Sequence, residues 1–225
     1  FDALDPGSQA FGSQERVHSF ASAAVLSSSL AAHDASTGGG CVLLYGASGT
    51  GKSHTFAGSA EDPGIVVRMA EDIFEKAVAA ERSPPSAATD GEVGKGDRHV
   101  VCVWASFLEI RGEHVRDLLR PGATESLRIV DHPQLGVLLP DAEEVPCASA
   151  DDVRRLLAIG SARRASSASL LRSGSSSCHV VFSFRLQVHS DASEGRAERI
   201  SRIDIVDLVA SEAAPSPAPP ETLDG

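Results

Sequence analysis

Apolar residues fall into two rhythms along the chain. Between Ser13 and Ala32, Val17, Phe20, Ala21, Ala24 and Val25 recur at helical spacing, and STGGG at Ser36–Gly40 ends that segment. Cys41–Tyr45 (CVLLY) is a short unbroken apolar run, the pattern of a strand covered on both faces. A glycine-rich turn follows, then GIVVRMAEDIFEKAVAA, where Val67, Ala70, Ile73, Phe74 and Ala77 form one helical stripe. His99–Ile110 reads as a long buried strand, followed by a turn at Arg111–Gly112 and a short helix through Val115, Leu118 and Leu119. Ser149–Asp152 has the form of a capping box, opening a helix through Val153, Leu156 and Leu157 that stops near Gly160. Val180–Val188 and Ile200–Leu208 supply two further strands. Strands alternating with helices predict a layered α/β domain.

Between these elements, Arg82–Arg98 reads as a surface loop rich in Pro, Gly, Ser and Asp, and the Ser-rich run Ser166–Ser177 also reads as loop. Residues 213–225 carry Pro215, Pro217, Pro219 and Pro220 and read as a disordered Pro-rich tail. The 225 residues, 42% of them hydrophobic, suffice for one sizeable core, so a single domain is expected. The longest apolar stretch is interrupted by Ser106 and Glu109 and is too short to span a bilayer. The opening FDALDPGSQ has no basic-plus-apolar leader pattern. Four cysteines lie far apart without a CxxC pair, and three sit in apolar surroundings as expected of buried thiols. That usage fits a reduced cytosolic protein without a metal or disulfide framework. A formal net charge of -11 argues against general polyanion binding, so nucleic acid and acidic lipid surfaces are poor partners.

The candidate chemistry lies in Gly46-Ala47-Ser48-Gly49-Thr50-Gly51-Lys52-Ser53, a full GxxxxGK[ST] pattern. Glycines let the backbone curl so that successive N–H groups face phosphate oxygens, and the following helix adds its positive end. Lys52 can then reach the β- and γ-phosphates, and the Ser53 hydroxyl can ligate Mg²⁺. The bland alternative, a Gly/Ser linker that contains a lysine, leaves the strand before the pattern and the helix after it without a reason. Nucleotide binding, with ATP or ADP and Mg²⁺ as the groups held, is the functional expectation.

Wider blocks narrow the family. YGASGTGKSHTFAG (Tyr45–Gly58) resembles the kinesin P-loop, and SFLEIRGEHVRDLL (Ser106–Leu119) resembles that family's Ser-Tyr-Leu-Glu-Ile-Tyr-Asn-Glu-x-Val-x-Asp-Leu-Leu. FDALD at the start, GIVVRMAEDIF, LRIVDHPQLGVLLP, SSSCH (Ser175–His179) and DLVASE (Asp207–Glu212) are similar to further kinesin blocks in the same order. The resemblance implies a three-layer α/β P-loop fold of kinesin-motor type, with a central mixed sheet and helices on both faces. It divides the chain into a partial motor domain over residues 1–212 and the tail 213–225. It also implies Mg-ATP binding, microtubule-coupled hydrolysis in the complete family member, and a place in the cytoplasm on the cytoskeleton.

Residue by residue, the resemblance sets phosphates on Gly46–Ser53 and His54 beside the adenine, the alternative for His54 being a solvent-facing helix residue. It gives Ser53 to the metal directly and Asp207 to a metal-bound water. Ser175 and Ser176 would face the γ-phosphate side, and Ser176, Asp207 and Glu212 are the residues it implies around the hydrolytic step. Glu109 and Glu113 read as polar partners within the fold.

Three departures bear on chemistry: Ser177 stands at the family's switch arginine, Cys178 at the next serine, and Ala210 at the switch glycine. Losing one preorganised contact of this kind slows a reaction by roughly 10²- to 10³-fold, so impaired hydrolysis is expected unless Arg172, Arg163 or Arg164 supplies the charge. The alternative function is a degenerate pseudo-motor that holds nucleotide and serves as a scaffold or interaction module. The family's first strand and the helices beyond its second switch have no counterpart in these residues, so a truncated motor domain is expected. An acidic body without those helices is expected to be repelled by the acidic microtubule surface.

Overall fold

Three long antiparallel strands form the middle of the sheet: β2 (His99–Arg111), β7 (His179–Ala192) and β8 (Gly195–Asp207). A computed structural model describes residues 13–30, 38–82, 99–122, 125–133, 136–170, 178–192 and 195–211. β1 (Gly38–Leu44) adds in parallel to β8, while β3 (His114–Asp117) and β6 (Val145–Cys147) both pair with β2 on its far side. The result is a mixed six-stranded sheet in the order β1-β8-β7-β2-β3, with β6 also on β2. A separate two-stranded ribbon joins β4 (Val130–His132) to β5 (Gly136–Leu138).

Four helices are described: α1 (Gln14–Leu30), α2 (Lys52–Ala57), α3 (Ile65–Arg82) and α4 (Ala150–Leu170). Each contributes to one core, built on the alternate residues Val103, Ala105 and Phe107 of β2, Val180, Phe182 and Phe184 of β7, and Ile203 and Ile205 of β8. Phe56, Phe107, Phe182 and Phe184 form a chain of rings whose successive centroids are 6.0, 5.3 and 5.2 Å apart. All described helices therefore lie on one face of the sheet, and the expected second helical layer is not among the described residues. The opposite face carries a small cluster of Leu108, Val115 and Leu127 with Leu139 and Val181 packed on it.

The sequence periodicity and the structure differ at four places. The 115–119 segment is not helical: Gly112 turns at φ 54, and His114–Asp117 folds back antiparallel on β2, with Leu118 N–H donating to Phe107 O at 2.8 Å. β-branched Val115 suits that extended backbone, and the 115–118–119 spacing imitates a helical face by chance. Gly160 does not end α4, which continues to Leu170 through part of the Ser-rich run. β1 is an edge strand among the described residues, packing only Val42 and Leu44 on the core and leaving Leu43 and Tyr45 61% and 75% exposed. Of the cysteines, Cys147 and Cys178 are buried, Cys102 is half-buried and Cys41 is exposed.

The fourth difference concerns α1. Phe20 is 78% exposed, and the buried positions are Gln14, Ser22, Leu26 and Ser29. Ala21 and Val25 pack on the core beside Leu26, as their spacing predicts, while Gln14, Ser22 and Ser29 put polar groups on the same side of the helix. Ser201 Oγ donates to Ser29 O at 2.8 Å, and His18 Nε2 meets Asp72 Oδ2 of α3 at 3.2 Å. Burial nonetheless lowers the His18 pKa, outweighing the pull of Asp72. The capping box at the start of α4 forms as read: Asp152 N–H donates to Ser149 Oγ at 3.3 Å, and Ala148 N–H donates to Asp152 Oδ2 at 3.0 Å. Ala148 N–H and the Ser149 hydroxyl, both donating to Oδ2, hold the Asp152 carboxyl below its ordinary pKa.

Gly160 is buried against the sheet, and a Cβ there would sit 2.1 Å from Phe107 Cδ1. Phe107 is 1% exposed and wedged between Phe56 and Phe182, so it cannot turn aside. Alanine ordinarily stabilises a helix interior over glycine by about 1 kcal/mol. Here the sign reverses: Gly160→Ala is expected to destabilise by about 1–3 kcal/mol through overpacking. A urea midpoint at or above that of the unaltered chain would contradict this packing.

Candidate functional site

The parallel register of β1 on β8 sets Leu44 opposite Asp207, and it continues past both strands, with Leu208 N–H donating to Leu44 O at 3.1 Å. Two loops therefore leave the same sheet edge side by side, Gly46–Ser53 from β1 and Leu208–Ser211 from β8. Open α/β sheets place ligand sites at the carboxyl ends of such strands. The second loop is tied down at two points. Ser211 N–H donates to Gly46 O at 3.3 Å, and Val209 N–H donates to His179 Nδ1 at 3.1 Å.

Gly49 and Gly51 turn the first loop through left-handed backbone at φ 78 and 94. A Cβ at either would meet nothing within 4 Å, so backbone conformation, not crowding, calls for glycine there. Lys52, the first residue of α2, folds its ammonium over the turn and donates to Gly46 O at 2.7 Å and Ala47 O at 2.8 Å. Thr50 Oγ donates to Ala47 O at 2.8 Å, closing the turn from within. Ser53 Oγ donates to Asp207 Oδ2 at 2.7 Å across a sequence separation of 154 residues.

These groups surround a cleft of about 300 Å³. The Ser48–His54 turn forms one side, Asp207–Ala210 another, and Arg164 and Cys178 complete the wall. The structure thus brings Lys52, Ser53, His54 and Asp207 together. Ser175, Ser176, Ser177, Arg172 and Glu212 lie outside the described residues, as do the FDALD block and residues 213–225. Among the described residues no three His, Cys, Asp or Glu side chains cluster as metal ligands. The hard-oxygen pair Ser53–Asp207 suits Mg²⁺, which completes its octahedron with phosphate oxygens and water when protein donors are few. A lysine ammonium, left-handed glycine turns and this oxygen pair fit a magnesium–nucleotide complex.

His54 is exposed on α2 but not loose. Gln14 Nε2 donates to His54 O at 2.6 Å and faces His54 Nδ1 at 2.8 Å. Because a carbonyl only accepts, the amide group at that position is the nitrogen, and Nδ1 is the acceptor of its second hydrogen. The ring proton then sits on Nε2. Sequence reasoning missed Gln14; the available signal was a polar residue that falls on the inward face of α1.

Glu109 is a partner within the fold, as read, its carboxylate standing between Arg116 at 3.6 Å and Arg164 at 3.5 Å. Glu113 is exposed in the β2–β3 turn. Asp117, 1% exposed, accepts from Leu119 N–H and Glu143 N–H, both at 2.7 Å. Arg163 Nη1 donates to Leu118 O at 2.8 Å and also to Leu119 O.

The family model described as the kinesin motor domain matches residues 5–219. Kinesin-like protein Klp98A of Drosophila melanogaster is 30% identical over 215 residues, 95% of this chain and 15% of that protein. Kinesin-like protein unc-104 of Caenorhabditis elegans is 35% identical over 181 residues, 78% of this chain and 10% of that protein. Kinesin-like protein KIF16B of Homo sapiens is 31% identical over 216 residues, again 95% of this chain and 15% of that protein. The chain thus spans only a small part of the curated relatives it matches.

Replacing Gln14 by Leu removes both donors to His54 and leaves the ring free to exchange tautomers. Imidazole nitrogen NMR of the unaltered chain is expected to report a fixed Nε2–H tautomer, and Gln14→Leu a mixed one. Identical spectra would show that Gln14 does not hold the ring.

Proposed function

The chain belongs to the kinesin motor domain family, and from that membership we propose that its cleft binds a magnesium–nucleotide complex and turns it over slowly. The observation that supports this best is the 2.7 Å bond between Ser53 and Asp207, next to a full P-loop. In this reading Lys52 leaves the carbonyls of Gly46 and Ala47 for the phosphates, and the turn's N–H groups cradle the phosphate chain. His54, held by Gln14, stands at the base end of the cleft. Ser53 would hold the metal directly and Asp207 through a bound water, and the metal would supply charge that neutralises the phosphates.

Slow turnover rests on what surrounds the terminal-phosphate side. Cys178 is 5% exposed in the cleft wall, and a thiol donates far more weakly than the serine hydroxyl of the family pattern. Ala210, also in the wall, brings a methyl group where that pattern has glycine. Ser177 removes a cation. Phosphoryl transfer depends on positioning and charge instead of covalent help, so such losses fall on rate more than on binding. These departures also favour the second reading, a pseudo-motor that holds nucleotide and works as an interaction module. The family's partner is the microtubule, yet net charge -11 opposes approach to an acidic lattice. Among the described residues, Arg154 and Arg155 are neutralised by Asp151 at 2.7 Å and Asp152 at 3.2 Å.

Titration with a fluorescent ADP or ATP is expected to saturate, and Lys52→Ala to weaken binding by about tenfold or more. Equal binding by the variant would remove the P-loop from the reading. In a turnover assay the chain is expected to be slow, and Ser177→Arg with Ala210→Gly to raise its rate. Brisk turnover without those changes would refute the decay of the switches.

Co-sedimentation at low ionic strength, where attraction is least screened, addresses the microtubule. The chain alone is expected to stay in the supernatant. Salt-sensitive pelleting that scales with lattice concentration would locate a tubulin surface within these residues.

A further inference from the structure

We propose that His179 is a positioning residue of this cleft, whose ring fixes the loop Leu208–Ser211 and through it the wall on the terminal-phosphate side. The inference rests on the nucleotide reading above and adds to it a residue that stands behind the cleft wall.

The need for such a tie follows from where the sheet ends. Val180 of β7 pairs with Asp207 of β8, and that ladder goes no further. At the next step Leu208 N–H turns to Leu44 O of β1 at 3.1 Å. The chain leaving β8 therefore parts from the backbone of β7. His179 bridges the gap with its side chain, Nδ1 accepting from Val209 N–H at 3.1 Å, while its own backbone stays paired with Ile110 of β2. Because a backbone N–H only donates, Nδ1 carries the lone pair and the ring proton sits on Nε2.

The direction of this tie matters for the cleft. The bonds of Leu208 and Ser211 run to Leu44 and Gly46, on the P-loop side. The bond of Val209 runs the other way, to the residue next to Cys178. Cys178, Val209 and Ala210 all line the cleft, with Cys178 and Ala210 buried at 5% and 6% exposure. The ring thus joins the segment entering β7 and the segment leaving β8 into one wall. Contacts to a terminal phosphoryl group depend on groups held in place before it arrives, and a shift of about an ångström loses much of their effect. A diphosphate relies on the P-loop, whose own bonds run through Thr50, Lys52 and Ser53 instead of His179. Loss of the tie therefore falls on the triphosphate.

The test compares His179→Ala, His179→Asn and His179→Gln in the full chain, with Mg²⁺ and either fluorescent ADP or a fluorescent β,γ-imido analogue of ATP. An asparagine oxygen takes the place of Nδ1, whereas a glutamine amide reaches the place of Nε2. His179→Ala and His179→Gln are expected to weaken the triphosphate analogue by about tenfold and ADP by about twofold or less. Both are also expected to speed amide hydrogen exchange at Val209, measured without nucleotide. His179→Asn restores the affinity and the protection together. Retained ADP binding is the folding control, and if the alanine variant does not fold, the contrast of asparagine with glutamine still reads the tie. Variants that bind both nucleotides as the unaltered chain does, asparagine and glutamine forms that behave alike, or unmoved exchange at Val209 would each strike this inference and leave the nucleotide reading standing. If the unaltered chain binds neither nucleotide, the nucleotide reading itself falls, and this inference with it.

Discussion

The site depends on the pairing of β1 with β8. These two strands come from opposite ends of the described chain, and their parallel register sets Leu44 against Asp207. Everything between them, including α3, β2, α4 and β7, forms the connection that such a parallel crossover needs. Closing so long a loop carries an entropic cost that the ring stack and the buried strand residues offset. Once the register is set, Ser53 and Asp207 meet without further adjustment, because Asp207 ends β8 beside Leu44 and Ser53 stands in the turn of α2 that follows the loop leaving β1. A slip of one residue would turn every inward side chain of β8 outward and move Asp207 off the cleft. Fold specification and site assembly are thus one constraint.

Much of that was legible in the sequence. The P-loop, the amphipathic stripe of α3 and the long apolar runs of β2, β7 and β8 are local patterns, and they fold as read. The capping box of Ser149 and Asp152 is equally local. What was not legible is set by tertiary contact. Gly160 looks like a helix terminator, but its lack of a side chain serves the approach of α4 to Phe107. α1 looks like a helix with Phe20 inward, yet it turns Gln14, His18 and Ser29 inside because partners await them on other elements. The short β4–β5 and β6 pairings left no readable period, being three residues each.

The acidic residues of the SFLEI–DLL block illustrate the difference between a family signature and a reacting group. Asp117 is buried, and its carboxylate gathers backbone N–H groups from the segment after β3 and from the approach to β6. Glu109 is enclosed by two arginines. Neither lines the cleft. Both settle backbone and cation positions around it, and in that sense the block belongs to the scaffold of the site.

The distribution of cations around the cleft then separates binding from turnover. Binding a phosphate chain would require donors and positive charge held at the right depth, and in the proposed reading left-handed glycine turns and Lys52 would offer both from a single loop. Turnover requires, in addition, groups whose contacts strengthen as the terminal phosphoryl group departs. Those come from other segments, the one ending at Cys178 and the one from Asp207 to Ala210, and it is there that the residues depart from the family pattern. A loop that binds can therefore persist while the elements that complete the reaction drift, since the two requirements rest on different stretches of chain. A cation on α4 adds charge to such a cleft but does not by itself position a water.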